Sequence, residues 1–525
     1  MARDRGQIGL FQSPSQRLTL LFVLITAGIV FAGVQCAAGN YRSAVVVAVA
    51  ALGAGFLIFA PISIETVLLA WFATTPLASF FVRYPTDRSI LTFNRAVFGL
   101  LAIVLLSRWV REASIKSEID ANAQSEFPSP VRDSSVSRRP GFSLSKFEIA
   151  WAALATLALL SSILAAGNVG SATRIAVDTF WLPLVAFHFG KNYFDLQRRG
   201  RVLLLVCIGL ALFLFATGAF EFATGIDLLR YKGSEIVREG ERRVNGPFAA
   251  DSSFSIICLM LFLFLQAAPR LFRGRLDRTA RLIYLGALTS AALGALLPLF
   301  RGVAIALVFC WILLNWSAHS DESQSLAMRS QLRRRPTTSW FVPVMFIALI
   351  GFLATITPML AGTRLTDSRT AFGRFATWQV AAEITLTNPV FGVGLGNYSE
   401  YFDQTHYYSD EPIEEVLEAR AVDSPHSNVL WIGAELGFAG LALYLTANIC
   451  LFLMGWRAFK HAENSRQRAA AACSIALVVA YWIPGFTLTS GYYSDLNLYF
   501  FFLVGVLASY SFPGSRHSVS PAALQ

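Results

Sequence analysis

The chain is 525 residues long, 55% hydrophobic and 14% charged, with a formal net charge of +10 and a mean hydropathy of +0.54. A chain this apolar is not a string of soluble domains, and its six cysteines, none in a CxxC pair, give neither a disulfide framework nor a zinc site. The basic excess does not read as a nucleic-acid surface, because the Lys and Arg residues are spread through short loops between apolar runs.

In chain order, runs long enough to cross a hydrocarbon core of about 30 Å fall at 18–36, 43–60, 62–81, 93–110, 147–166, 175–190, 202–221, 252–269, 281–300, 302–317, 339–359, 427–455, 469–487 and 496–512. They predict an all-α polytopic membrane protein of about 12–14 transmembrane helices, with residues 1–525 as a single transmembrane domain. The first run lies among similar ones with no cleavage pattern after it, so it is read as a span and not as a removable signal. Residues 111–146, rich in Ser, Pro and Arg, are expected to form a disordered cytoplasmic linker. The basic connections "KNYFDLQRRGR" (191–201), "PRLFRGRLDRTAR" (269–281) and "MRSQLRRRP" (328–336) orient the helices. With both termini in the cytoplasm, most of the 43 Lys and Arg fall on that side. Two segments then face outward: a smaller loop, 222–251, and a large loop, 360–426, expected to contain short helices. The chain has no internal repeat of the kind found in many secondary transporters.

Topology sorts the histidines. His319, His461 and His517 fall on the cytoplasmic side and His188 at the cytoplasmic end of a span, leaving His406 and His426 outside. His406, in the acidic stretch "DQTHYYSD", reads as solvated. In "DSPHSN", Ser424 is a plausible N-cap and Pro425 suits the first helical position, which puts His426 in the first turn near the positive end of the helix dipole. That setting favours the neutral imidazole a general base requires, although a histidine marking a helix end would have the same neighbours.

Among cations, Arg301 in "LPLFRGVAIAL" interrupts an apolar stretch, and Arg242 and Arg243 precede "VNGPFAADSSF". A cation near hydrocarbon needs an anionic partner, and a lipid-linked pyrophosphate presents one at this depth. Arg374 opens "GRFATWQVAAEITLTNP", in which Phe375, Trp378, Ala382 and Leu386 share one face. The pattern predicts a short amphipathic helix at the membrane surface, stopped by Asn388-Pro389. The GxGxG in "FGVGLGNY" has no buried strand before it, so its glycines are read as permitting a tight return of the chain. Glu435 is an intramembrane acid with Gly433, Gly437 and Gly440 beside it. Nine residues of helix put it on the face opposite His426, which points to structural hydrogen bonding.

Taken in order, "RVNGPFAADSS", "LFRGVAIAL", "GRFATWQVAAEITLTNPVFGVGLGNY" and "PHSNVLWIGAELGFAGLALYL" resemble the O-antigen ligase and polymerase family, most specifically from Arg301 to Leu445. Phe300-Arg301 stands where the family commonly has Ser-Arg, and "AADSS" where it has Asn-Pro-Asn. The resemblance implies an all-helical, metal-independent glycosyltransferase with no cofactor. Such an enzyme takes a glycan from undecaprenyl diphosphate at the periplasmic face of the bacterial inner membrane, in lipopolysaccharide or exopolysaccharide biosynthesis. Carried over, Arg243 and Arg301 look like diphosphate-binding arginines and His426 like the loop base. Arg374, Trp378 and Asn428 match loop positions of the family pattern.

These readings together predict transfer of the glycan to an acceptor sugar hydroxyl, with inversion at the anomeric carbon. The acidic, tyrosine-rich segment 398–423 favours a polymerase, which takes a second lipid-linked repeat unit, over a ligase acting on lipid A core. The expected partners are the undecaprenyl-diphosphate-linked donor, a glycan acceptor, membrane lipids and a chain-length regulator, with no nucleic acid. A lipid-oligosaccharide flippase is the rival from another class; it predicts a charged central cavity and discontinuous helices at the bilayer midplane.

Overall fold

The computed structural model describes residues 63–81, 83–84, 91–103, 144–165, 167–226, 237–238, 241–242, 244–248, 250–272, 277–322, 369–404 and 424–511. The expected spans at 18–36, 43–60 and 339–359, the linker before Leu144, much of both outer loops, and Arg243, His406 and His517 lie outside these residues. The chain divides into two compact units, 1–145 with 513–525, and 146–512.

In the first unit α1 (Ile64–Phe81) and α2 (Phe93–Ile103) flank a two-residue antiparallel ladder, β1 (Arg83–Tyr84) with β2 (Leu91–Thr92). Buried Trp71 donates its indole N–H to Asn94 Oδ1 at 2.8 Å and packs edge-on against Phe98, tying the two helices together.

The second unit is a helical bundle. Its elements are α3 (Lys146–Leu164), α4 (Val169–Ala176), a π-helical turn (Val177–Trp181), α5 (Leu182–Tyr193) and α6 (Leu196–Thr224). A second two-residue ladder follows, β3 (Val237–Arg238) with β4 (Glu241–Arg242). Then come α7 (Asp251–Leu271), α8 (Arg278–Leu296), α9 (Arg301–Glu322), α10 (Arg369–Thr387), α11 (Tyr398–Gln404), α12 (Asn428–Lys460) and α13 (Ser465–Gly485). A 3-10 turn (Ser490–Tyr492) and α14 (Ser494–Ser511) close the unit. Helix α7 is buried on every side from Ser252 to Ala268, which suits a sequence apolar all round. Helices α6, α8, α9, α13 and α14 pack around it.

The outer helices present Leu205, Leu282, Ile305, Phe309, Ile312 and Ile449 to the surroundings, a surface suited to lipid and not to water. Among the described residues six helices are long and apolar enough to cross a membrane: α3, α6, α7, α8, α12 and α13. The protein is therefore mostly helical and carries the marks of a membrane-embedded chain.

Short turns reverse the chain between successive helices, so the bundle has two chemically different ends. One end gathers the starts of α6, α8 and α13 with Lys191, Arg198, Arg270, Arg278, Lys460 and Arg468. There Asp195, Asp277 and Asn464 cap the helix amides. At this basic end Glu148 accepts from Lys191 Nζ at 2.6 Å and pairs with His188 Nδ1 at 2.7 Å, locking α3 to α5. The other end gathers the turns at 297–300, 389–397 and 486–493 with the starts of α7, α9 and α12, and neither α7 nor α12 has a side-chain cap.

Candidate functional site

The turn-rich end is built on a break in α12. At Gly437 the backbone has φ 65° and ψ −168°, which separates a short segment before it from Phe438–Lys460. A break exposes the carbonyls that end one helix and the amides that start the next. Here the 389–394 turn takes both sets. Val393 and Gly394 donate to the carbonyls of Ala434 and Glu435, both at 3.0 Å. The Pro389 and Val390 carbonyls accept from the amides of Phe438 (2.7 Å) and Ala439 (3.2 Å). The approach is close enough that a Cβ on Gly437 would stand 2.5 Å from the Val390 carbonyl, and one on Gly392 would stand 2.5 Å from Ala434 O. The GxGxG run thus serves as a backbone splint, with Gly392, Gly394 and Gly396 all at positive φ.

Glu435 holds the splint in place. Its carboxylate accepts from the amides of Gly396 (2.9 Å) and Tyr398 (3.2 Å), from Trp431 Nε1 (2.7 Å) and from Tyr492 Oη (3.3 Å). Four donors around one buried carboxylate offset much of its desolvation and fix three separate chain segments to each other. The helical-face reasoning that separated Glu435 from His426 does not apply, because His426 is not in the helix.

The helix starts later than the Ser-Pro pattern predicts. Ser427 is the N-cap and Asn428 the first helical residue, so Ser424 and Pro425 lie outside α12. His426 occupies the position before the cap, exposed, with φ 50°. Left-handed backbone is uncommon for a non-glycine residue, although His tolerates it better than most. Among the described residues the other such position is Leu299, φ 57°, two residues before Arg301. Both residues nominated most strongly from the sequence therefore have a strained backbone position at or beside them.

Arg301 is the first residue of α9 and is exposed, not buried as its apolar surroundings suggested. The helix starts that follow Arg301 and His426 both meet the segment 484–493. Next to Arg301, a Cβ on Gly302 would touch Pro484 and Thr487. Close to His426, Asn428 donates to Ser490 Oγ at 2.7 Å and accepts from the Gly491 amide at 3.2 Å. Gly491 O in turn accepts from Thr179 Oγ1 (2.7 Å) and Asn497 Nδ2 (2.9 Å), and Asn497 Oδ1 accepts from Tyr481 Oη (2.7 Å). The result is a buried polar network beneath two helix starts. Thr489 Oγ1 is also buried there, and it has no hydrogen-bond partner among the described residues.

Arg374 is half-buried in the second turn of α10, not at its start, and the helix ends at Thr387 just before Asn388-Pro389. Val380, Ala381 and Ile384 pack against Tyr398, Phe402 and Ala434. Phe375, Ala382 and Leu386 face outward and Trp378 is half-buried, its indole N–H lacking a partner among the described residues. Val390, Phe391 and Phe438 extend this exposed apolar surface.

Arg243 itself is not described, but the turn that follows it is. Buried Glu221, near the end of α6, accepts from the amides of Asn245 (3.0 Å) and Gly246 (2.8 Å). Sequence reasoning missed both Glu221 and the 486–493 segment. A lone acid inside the apolar run 202–221 is the same signal that drew attention to Glu435, and "TLTSGYYSD" is a polar connection between two of the last apolar runs.

Among the described residues no group of three or more His, Cys, Asp or Glu could hold a metal ion. The bundle and its site end define a helical membrane protein with an irregular, hydrogen-bonded face at one end. No family model fits the chain, and no curated protein is significantly similar to it.

Proposed function

We propose that the chain is a polysaccharide polymerase: it transfers a glycan from undecaprenyl diphosphate to the sugar hydroxyl of a second lipid-linked unit, at the periplasmic face of the inner membrane. The observation that supports this reading is that the helix starts following Arg301 and His426, far apart in sequence, both meet the segment 484–491, through Gly302 against Pro484 and Thr487 and through Asn428 to Ser490 and Gly491; each residue also has a left-handed backbone position at or beside it. Arg301, with Arg243 from the loop that Glu221 grips, would hold the diphosphate and stabilise the charge that develops as it leaves. His426 would take the proton from the attacking hydroxyl while the glycosidic bond to the diphosphate breaks. Displacement from one side gives inversion and needs no covalent intermediate. Asn428 keeps the start of α12 against the 490–492 turn, and Arg374 and Trp378 sit on the helix that braces the splint. The basic end of the bundle would face the cytoplasm.

A lipid-oligosaccharide transporter is the second reading, and the break at Gly437 favours it, since discontinuous helices mark many transporters. The position of the break weighs against it. Phe438–Trp456 contains no charged residue and is long enough to span the hydrocarbon core by itself, leaving Gly437 at the outer edge and not at the midplane. The deciding experiment uses sealed vesicles containing the full chain and lipid-linked repeat units, with no lipid A core acceptor. Chain growth that is lost in His426→Ala supports the polymerase. Growth only on added lipid A core makes it a ligase, and substrate crossing without any transfer overturns the transferase reading.

A further inference from the structure

We infer that the basic end of the bundle carries a binding groove for one acyl chain of an anionic glycerophospholipid. A cavity of 230 Å³ lies between α9, α12 and α13, walled by Phe309, Ile312, Trp316, Trp456, Phe459 and Ile475. Trp456 and Phe459 lie in the last turns of α12 and Phe309 to Trp316 in the middle turns of α9, so the groove is remote from His426, which precedes the start of α12. It exposes no polar surface. A peptide segment entering it would strand backbone N–H and C=O groups at several kcal/mol each, roughly. A hydrocarbon chain makes no such demand.

Charge at the mouth selects the headgroup. Lys460 is one turn beyond Trp456 and holds its ammonium over that ring, 5.3 Å from the centroid. On the facing helix Arg468 is one turn before Ala472, another residue of the groove wall. Arg457 adds a third cation, whereas Asp321 and Glu322 end α9 and Glu463 lies in the α12–α13 turn. The Lys460 ammonium, held over a wall residue of the groove, suits a phosphodiester whose chain lies in the groove, as basic clefts between helices at a cytoplasmic surface do. The inference needs the helices to lie in a bilayer, and it is independent of glycan transfer.

The test is tryptophan quenching by lipids with brominated acyl chains. The full chain is reconstituted with brominated phosphatidylglycerol or brominated phosphatidylcholine, and the signal of a Trp316→Phe/Trp456→Phe variant is subtracted. The expected result is a roughly fivefold preference of the groove tryptophans for the anionic lipid, the worth of one cation near an anionic surface. Lys460→Gln, at an exposed site, should abolish that preference without changing quenching of the remaining tryptophans. Equal quenching by the two lipids would mean ordinary boundary lipid and would overturn the inference. Displacement of the brominated phosphatidylglycerol by undecaprenyl phosphate, but not by unlabelled phosphatidylglycerol, would overturn it too, in favour of an isoprenoid site.

Discussion

Glu435 and Glu221 are the same device built to two strengths. Each is a buried carboxylate near the turn-rich end, and each grips two amides of an irregular loop. Glu221 holds five described residues, 244–248, with one positive-φ glycine, Gly246. Glu435 also holds Trp431 and Tyr492, and its loop supplies the backbone partners of a broken helix. The difference shows how a helical membrane protein can keep irregular chain at its surface. Two bonds from one carboxylate help pin a small turn whose Gly246 packs on Phe254, whereas the helix break is met by a carboxylate, a glycine splint and an aromatic wall together. Trp431 supplies that wall, stacked on Phe180 and tilted against Tyr492.

The largest effect is expected at Glu435. Glu435→Ala strands four donors, at about 1–3 kcal/mol for each one left unsatisfied, so the thermal midpoint of the purified protein should fall sharply and transfer should vanish with it. A midpoint within a degree or two of the parent would show that the splint stands without its acid. Gly437→Ala comes next. The left-handed backbone costs roughly 1–2 kcal/mol for a residue with a Cβ, and the clash with Val390 adds to that; a neutral melt would mean the break can close. Glu221→Ala should cost less, roughly 2 kcal/mol. It should also raise the donor KM more than it lowers kcat, because the loop it releases leads to Arg243. Equal damage to kcat and stability would leave Glu221 as a packing residue only. The smallest effect is expected for Asn428→Ala, about 1 kcal/mol, seen as a modest loss of midpoint. Asn428→Asp should recover less than half of that loss, because it keeps the acceptor for Gly491 and removes the donor to Ser490.

Much of the bundle could be read from the sequence, since a span is an additive property of some twenty apolar residues and survives errors at its ends. Helices stand over the expected runs from 62–81 to 496–512 wherever the chain is described. The site was harder to read because its features depend on contacts between distant segments. Ser424-Pro425 imitates a helix start, and nothing local says that the chain will take one more left-handed step through His426 before Ser427 caps α12. Gly433, Gly437 and Gly440 look alike in sequence. Yet Gly433 admits Thr385 of the neighbouring helix, whereas Gly437 is where α12 breaks, and only the partner loop distinguishes them. Arg301 was assigned its depth from the apolar residues around it, but the turn at 297–300 brings it to the surface. Asn428 was noted as matching a loop position of the family pattern, though its bond to Ser490 crosses 62 residues of sequence.

The central claim is that Arg301 and His426 serve one reaction at one end of the bundle. Single-turnover transfer from a purified lipid-linked donor, measured for His426→Ala, Arg301→Ala and the double variant, tests it most directly. Each single change should slow transfer by roughly 10²-fold or more with the melting midpoint unchanged, and the double variant should lose much less than the product of the two. Transfer at the parental rate in the folded His426→Ala protein would contradict it.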